Sequence, residues 1–155
     1  MRLRTLILSA ALLLPAPLLA QNAERDSVLA SIQGFLTGMR TKDTVLMRQA
    51  VDSATRMTLL RPMPAGGIRV VTLTADQFIR VASNPNQPAL DEPIRNPIVQ
   101  IDGPLATVWA EYQVRRAGAV THCGYDAFHL AKLGGRWKIL NVSDTYRTEG
   151  CGGAW

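Results

Sequence analysis

The C-terminal half of this chain is divided by glycine. From Ile94 onward, stretches rich in β-branched and aromatic residues are broken at Asp102-Gly103-Pro104, at Gly118 and at Gly134-Gly135. Between the breaks, Pro97 to Ile101, Leu105 to Arg116, Val120 to Leu133 and Arg136 to Tyr146 read as strands. Gly134-Gly135 is a hairpin signal, and short turns of this kind join antiparallel neighbours. The last third of the molecule is therefore a meander of long antiparallel strands. Such a sheet must bury one face, and what covers it has to come from the N-terminal half.

That half is helical where it matters. Val28, Leu29, Ile32, Phe35, Leu36 and Met39 recur at helical spacing, which predicts a helix from Ala23 to Met39 with one apolar face. Gly38 and Arg40-Thr41-Lys42 suggest its end. A short second helix follows, capped by Thr41 or Asp43, with Leu46, Met47, Ala50 and Val51 inward. Met57 to Leu60 and Ile68 to Leu73 read as two strands, and Arg61-Pro62-Met63-Pro64-Ala65-Gly66-Gly67 between them as a turn. Thr74-Ala75-Asp76-Gln77 has capping-box spacing and opens a third helix to about Ala82. A Pro- and Asn-rich loop runs on to Pro93. Helices first and strands last predict an α+β fold with the sheet curling around the helices.

The first residues have a different purpose. Arg2 and Arg4 precede an apolar run from Leu6 to Leu19, and Ala20 ends it just before Gln21. This is the layout of a cleavable signal peptide, and the run is short for a membrane span. The expected organisation is a signal peptide over 1–20 and a single domain over 21–155, with an irregular glycine-rich tail over 147–155. The expected location is periplasmic or secreted, with no membrane attachment after cleavage. Removing 1–20 leaves 15 basic against 12 acidic side chains, and the arginines are scattered. Scattered charge makes no stripe for a nucleic acid, so no nucleic-acid partner is expected. Cys123 and Cys151 are an even count in an exported chain, which favours a disulfide. Symmetric pairing about Gly134-Gly135 does not set them opposite one another, so the tail must fold back.

Several motifs in this order resemble the nuclear transport factor 2 (NTF2-like) superfamily, in particular its small exported, lumazine-binding-like members. They are Val28 to Asp43 as first helix, Asp52-Ser53-Ala54-Thr55 as the step into the first strand, and Asp102-Gly103-Pro104-Leu105-Ala106 as a strand turn. Leu133-Gly134-Gly135-Arg136-Trp137-Lys138-Ile139 resembles the last hairpin, and the likeness covers nearly all of residues 24–147. It implies a cone: a curved antiparallel sheet wrapped around three N-terminal helices, with a pocket at the open end. That superfamily includes isomerases, cyclases, dehydratases, epoxide hydrolases and binding modules, so the fold alone selects no activity. Its steroid-isomerase branch places a general-base carboxylate just after the Asp-Ala step. Here that stretch is Arg56-Met57-Thr58-Leu59, without a carboxylate, and the first helix lacks a tyrosine.

The densest polar cluster is Thr121 to Asp126. His122 and Asp126 share strand parity and point to one face, about 13 Å apart along the strand. Tyr125 and His129 take the other face. The last hairpin returns Asp144 near Tyr125 or a neighbour, so Asp126, Asp144 and a histidine could approach one another. A histidine beside a carboxylate is a general-base arrangement. On the central strand Trp109 and Glu111 share a face, with Tyr112 opposite. His122, Asp126, Asp144, Trp109 and Glu111 are the pocket candidates; the structural alternative is that His122 covers the disulfide and Trp109 belongs to the core. No closed zinc spacing and no phosphate-cradling glycine loop appears, so no metal and no cofactor is expected. Three readings stand at this point. One is a module binding a small apolar or aromatic ligand. Another is a cofactor-free dehydratase, isomerase or hydrolase using a His–carboxylate pair. The third is an interaction protein that dimerises through its sheet.

Overall fold

The computed structural model of the chain describes residues 16–153 and 155; residues 1–15, most of the expected signal peptide, lie outside them. The element order is α1 (Ala16–Thr41), α2 (Thr44–Ala50), β1 (Val51–Pro62), β2 (Ile68–Thr74), α3 (Ala75–Ala82), β3 (Ile94–Asp102), β4 (Leu105–Arg116), β5 (Ala119–Leu133) and β6 (Arg136–Asp144). Six strands form one sheet in the order β2-β1-β6-β5-β4-β3.

The helices follow from apolar spacing and caps. Val28, Ile32, Phe35, Leu36 and Met39 are the buried stripe of α1, as their period requires. Gly38 does not end the helix. A side chain there would come within 2.6 Å of Met47 Cγ and 3.0 Å of the Asp43 carbonyl oxygen, so Gly38 is where α2 crosses closely. Lys42, at φ 57°, makes the actual stop. Asp43 then caps α2, its carboxylate accepting from Val45 N and Leu46 N at 2.9 and 3.0 Å. The Thr74–Gln77 capping box of α3 is present in both directions.

β3 to β6 form the expected antiparallel meander. The sheet as a whole is mixed rather than antiparallel throughout, because β1 runs parallel to β6 and antiparallel to β2. The chain between β1 and β6 runs through β2, α3 and the meander β3 to β5, the long connection a parallel pair requires. β1 is also longer than Met57–Leu60. It begins at Val51 and absorbs an irregularity between Val51 and Arg56. There Asp52 accepts from Ala54 N at 2.8 Å, and the fully buried Thr55 donates its hydroxyl to the Ile139 carbonyl at 2.5 Å.

The core lies between the concave sheet face and the helices. Ala106, Val108, Ala110, Tyr112 and Val114 of β4 point inward, as do Phe128 and Leu130 of β5. Each large side chain so buried contributes about 1.5–3 kcal/mol. Polar ties fix α1 on β6: Ser31 Oγ donates to the Trp137 carbonyl at 2.9 Å. Glu24 accepts from Lys132 Nζ at 2.6 Å and from Trp137 Nε1 at 3.1 Å. Cys123 and Cys151 are joined in a disulfide, with Cα atoms 5.5 Å apart. The tail folds back to reach it: Arg147 pairs with Cys123 through two backbone hydrogen bonds of 3.0 Å. Gln113, buried, donates to the Cys151 carbonyl at 2.6 Å.

Candidate functional site

Beyond the apolar core, the concave face turns polar where β4, β5 and β6 approach the tail. Strand alternation sets the participants. On β5, His122, Gly124 and Asp126 face inward, and across the ladder lie Val114, Tyr112 and Ala110 respectively. Asp126 is also the direct register partner of Asp144 on β6. Gly124 is required here. A side chain on it would strike the Thr145 carbonyl and come within 2.8 Å of Tyr112 Cε1. The bare glycine lets the Tyr112 ring lie across β5, so that its hydroxyl donates to the Thr145 carbonyl at 2.6 Å.

Arg61, at the end of β1, closes the group. Its guanidinium donates to both oxygens of Asp144, at 2.5 and 2.8 Å, and Leu60 N adds a third contact to that carboxylate at 3.2 Å. The same guanidinium lies 5.1 Å from the centre of the Tyr146 ring. His122 stacks on the other aromatic neighbours: 4.5 Å from Tyr146 and edge-on to Tyr112 at 5.8 Å. Its Nδ1 is 2.9 Å from Thr121 Oγ1. Glu92 enters from the segment before β3. Asp91 pairs with Arg115 and Ile94 with Tyr112, so Glu92 falls opposite inward-facing Val114. Glu92 keeps some residue surface in solvent, but its carboxyl group is enclosed.

Three carboxyl groups thus lie within electrostatic reach of one guanidinium, and burial first, then mutual repulsion, sets the states of Glu92 and Asp126. Burial pushes Glu92 up to about 8, helped by the negative charge of Asp144 and opposed by Arg61. Burial likewise raises Asp126 well above the ordinary carboxylate range, with Glu92 and Asp144 adding to it. The Tyr112 phenol is raised by burial and then by the same acids. Burial, then the positive charges of Arg61 and Arg116, push His122 down to about 4, which leaves a neutral imidazole at neutral pH. The site is therefore nearly neutral. It holds a paired carboxylate at Asp144 and protonated carboxyls at Asp126 and Glu92. One buried oxygen of Asp126, Oδ2, has no hydrogen-bond partner among the described residues. A buried polar atom without a partner costs about 1–3 kcal/mol, so its retention calls for an explanation in function.

The sequence-predicted residues divide by face. His122, Asp126 and Asp144 come together on the concave face. Trp109 and Glu111 do not join them. Trp109, 46% exposed, stacks on Tyr125 at 5.1 Å on the convex face. Glu111 is held there by Arg95 at 2.7 Å and Asn96 at 3.1 Å, and hydrogen bonds from Asn96 and Arg95 keep its carboxyl below the usual range. His129 is exposed on that same outer side, between Thr107 and Asn141. Among the described contacts no histidine hydrogen-bonds a carboxylate: Asp144 is taken by Arg61, and His122 by Thr121. Sequence reasoning missed Arg61 and Glu92, which read as turn and loop, and Tyr146, which read only as a strand end. Parity sets Tyr112 opposite Trp109 and Glu111, as in the structure, but does not show that its face is the concave one. Among the described residues, no set of three or more His, Cys, Asp or Glu side chains is arranged to hold a metal ion.

Comparison with known proteins agrees with this architecture. Among curated proteins none matches the chain. A structure of a protein of unknown function from Mycobacterium tuberculosis superposes with a TM-score of 0.70 at 15% identity, covering 85% of this chain and 76% of that one. An NTF2-like protein with a cystatin-like fold from Novosphingobium aromaticivorans gives 0.66 at 10% identity, covering 87% and 88%. A protein described as a "putative dehydratase from the NTF2-like family" from Streptomyces avermitilis gives 0.63 at 12% identity, covering 81% and 96%. At these identities the likeness speaks for the fold alone. The model of the family described as "Putative lumazine-binding" matches residues 23–146, most of the chain. This chain belongs to that family, and it has the fold of the NTF2-like proteins.

Proposed function

We propose that this protein binds a small planar molecule, one bearing a carbonyl or ring amide, on the concave face of its sheet. The observation that carries this reading is the partnerless buried Oδ2 of Asp126. A protonated carboxyl there donates to a carbonyl oxygen, and the neutral His122 and the Tyr146 ring offer a flat neighbour for an aromatic body. Half-buried Leu59, Leu73 and Phe78 supply apolar wall on the same side of the sheet. Lumazines have this chemistry, flat rings edged with carbonyls and N–H groups, which fits a family described as "Putative lumazine-binding". The test is a fluorescence titration with lumazine, alongside native mass spectrometry of protein purified from its own compartment. Asp126→Val should bind at least roughly tenfold more weakly, the equivalent of one lost buried hydrogen bond. It should melt no lower, because an apolar group replaces an unsatisfied polar one. Unchanged affinity in Asp126→Val would overturn the reading.

Glu92 favours a second reading, a cofactor-free acid–base enzyme. A carboxyl that titrates at about 8 beside a protonated one gives an acid and a base in one site. The dehydratase description of one structural relative points the same way for that protein. The histidine–carboxylate pair expected from the sequence is replaced in this reading by Glu92 and Asp126. Recovery of the bound molecule chemically unchanged after prolonged incubation rules it out. For self-association, the convex face sets Ile98, 61% exposed, opposite Trp109, and this is the surface on which we place a second copy. Export is proposed on the signal-peptide layout. The disulfide agrees with it, and among the described residues no helix is long and apolar enough to cross a membrane.

A further inference from the structure

We propose that the cleft between α3, β2 and the end of β4 binds the oxyanion of a small amphipathic molecule, a phosphate monoester or a carboxylate. This cleft has a volume of about 620 Å³ and shares only Leu73 with the residues named for the Asp126 site. Two arginines, Arg80 and Arg116, line it together with Gln77, Asn84 and Gln87, and among the described residues no Asp or Glu lines it. Leu73 and Val81 add apolar surface.

The polar groups are already turned into donors. Gln77 spends its carbonyl oxygen on the α3 cap, accepting from Thr74 N at 2.8 Å, which leaves its amide nitrogen to donate. Asn84 accepts from Asn86 N at 2.9 Å and is left in the same state. Arg80 has an acid at the right helical spacing, Asp76, but Asp76 pairs with Arg48 of α2 instead. Arg80 therefore has no acidic partner among the described residues. Arg116 makes only a long contact of 3.4 Å, to the Pro88 carbonyl. The outer wall is held in place: Lys42 Nζ donates to the carbonyls of Asn84 and Gln87 at 2.9 and 2.6 Å. The carbonyl end of α3 also faces this loop, and its negative pole opposes an anion. That opposition is reduced because Ser83 N and Asn84 N already donate to Ile79 and Val81. A cleft with two guanidinium groups and, among the described residues, no acid paired to either selects an acceptor-rich, negatively charged group.

The test uses the oxidised protein and three probes of one size: phenyl phosphate, benzoate and neutral benzyl alcohol. Side-chain nitrogen–proton signals of arginine and glutamine are followed in nuclear magnetic resonance titrations. We expect saturable shifts at Arg80 and Arg116 with a Kd of about 1 mM or tighter for at least one anion. Binding of phenyl phosphate alone identifies a phosphoryl ligand, and binding of both anions identifies a general oxyanion site. Arg80→Gln and Arg116→Gln should each weaken binding roughly tenfold with unchanged melting, and Asp126→Val should leave it intact. Three results overturn the proposal: no saturation by either anion, equal binding of benzyl alcohol, or wild-type affinity in both arginine variants. Loss of binding in Asp126→Val also overturns it, because the probe would then sit in the concave site.

Discussion

Burial and repulsion at Glu92 and Asp126 make the stability of this protein depend on pH in an unusual direction. An unfolded Glu92 ionises near the ordinary 4.5, whereas the folded one holds its proton up to about 8. Between those values the folded state binds more protons than the unfolded state, so this group's contribution is full below 4.5 and lost as pH rises through 8. Asp126, raised in the same sense, adds to that slope. Glu92→Gln should therefore flatten the melting temperature against pH across this window and raise stability at pH 8 by about 1–2 kcal/mol. Thermal melts of both proteins from pH 4.5 to 8 measure it, and parallel curves would show that Glu92 is not the titrating group. Arg61 is the opposite case. It is the sole cation hydrogen-bonded to Asp144 among the described contacts, and both side chains are mostly buried, at 24% and 11% exposure. Arg61→Met leaves that carboxylate uncompensated and should cost about 3 kcal/mol, with Asp144→Asn in the same chain recovering most of the loss. Additive losses in the double variant would mean that the pair is not coupled. Parity put His122 and Asp126 on one face, because a strand alternates whatever surrounds it; Asp144, expected near Tyr125 or a neighbour, is the register partner of Asp126. Arg61 and Glu92 could not be found that way. Arg61 sits in a proline-flanked stretch that reads as a turn, and Glu92 faces inward only because the Asp91–Arg115 pairing extends the β3 register beyond its predicted start.

The best-predicted elements are those whose signals are local. Leu105 to Arg116 spans β4 as read, and the capping box starts α3 where expected. Elements defined by distant contacts were read short. β1 hid behind the irregularity at Asp52–Thr55, and β3 behind Asn96, at φ 51° next to a proline, where its pairing with β4 shifts. The parallel β1–β6 pairing has no sequence signal of its own. Two elements meet at Gly124, whose need for a missing side chain comes from β4 and from Thr145 rather than from β5. Gly124→Ala should displace Tyr112 or the strand after Asp144 and cost at least 2–3 kcal/mol, as overpacking against backbone does. A melting temperature within 2 °C of wild type, on the order of a few tenths of a kcal/mol, would show that the contact relaxes freely. The tail is an element only through its disulfide. Closing a separation of 28 residues stabilises by about 3–4 kcal/mol in the chain-entropy model. Reduction should lower the melting temperature accordingly and expose Gln113 amide protons to exchange, since the Cys151 carbonyl is its acceptor.

At the scale of the whole molecule, the sheet, the helices over it and the tail behind it form one unit. Helix α1 begins at Ala16, so the expected cleavage after Ala20 falls within its first turns. Ala20, Gln21 and Asn22 are exposed, and among the described residues the first side-chain tie to the sheet is Glu24 and the first buried side chain is Val28. A helix that loses its first turns retains its tertiary anchors, and those, more than length, maintain it. The chain from Gln21 to Trp155 should therefore fold with the same cooperative transition as the longer one, within about 1 kcal/mol, since frayed ends contribute close to nothing. Under the proposed export, cleavage follows translocation, and Cys123 and Cys151 are oxidised in the oxidising compartment. Exported material should begin at Gln21 and carry a closed disulfide, as intact-mass measurement with and without reduction will read. Exported protein that begins at Met1, or a 21–155 chain that melts several degrees lower with its disulfide closed, would show that the first residues belong to the fold.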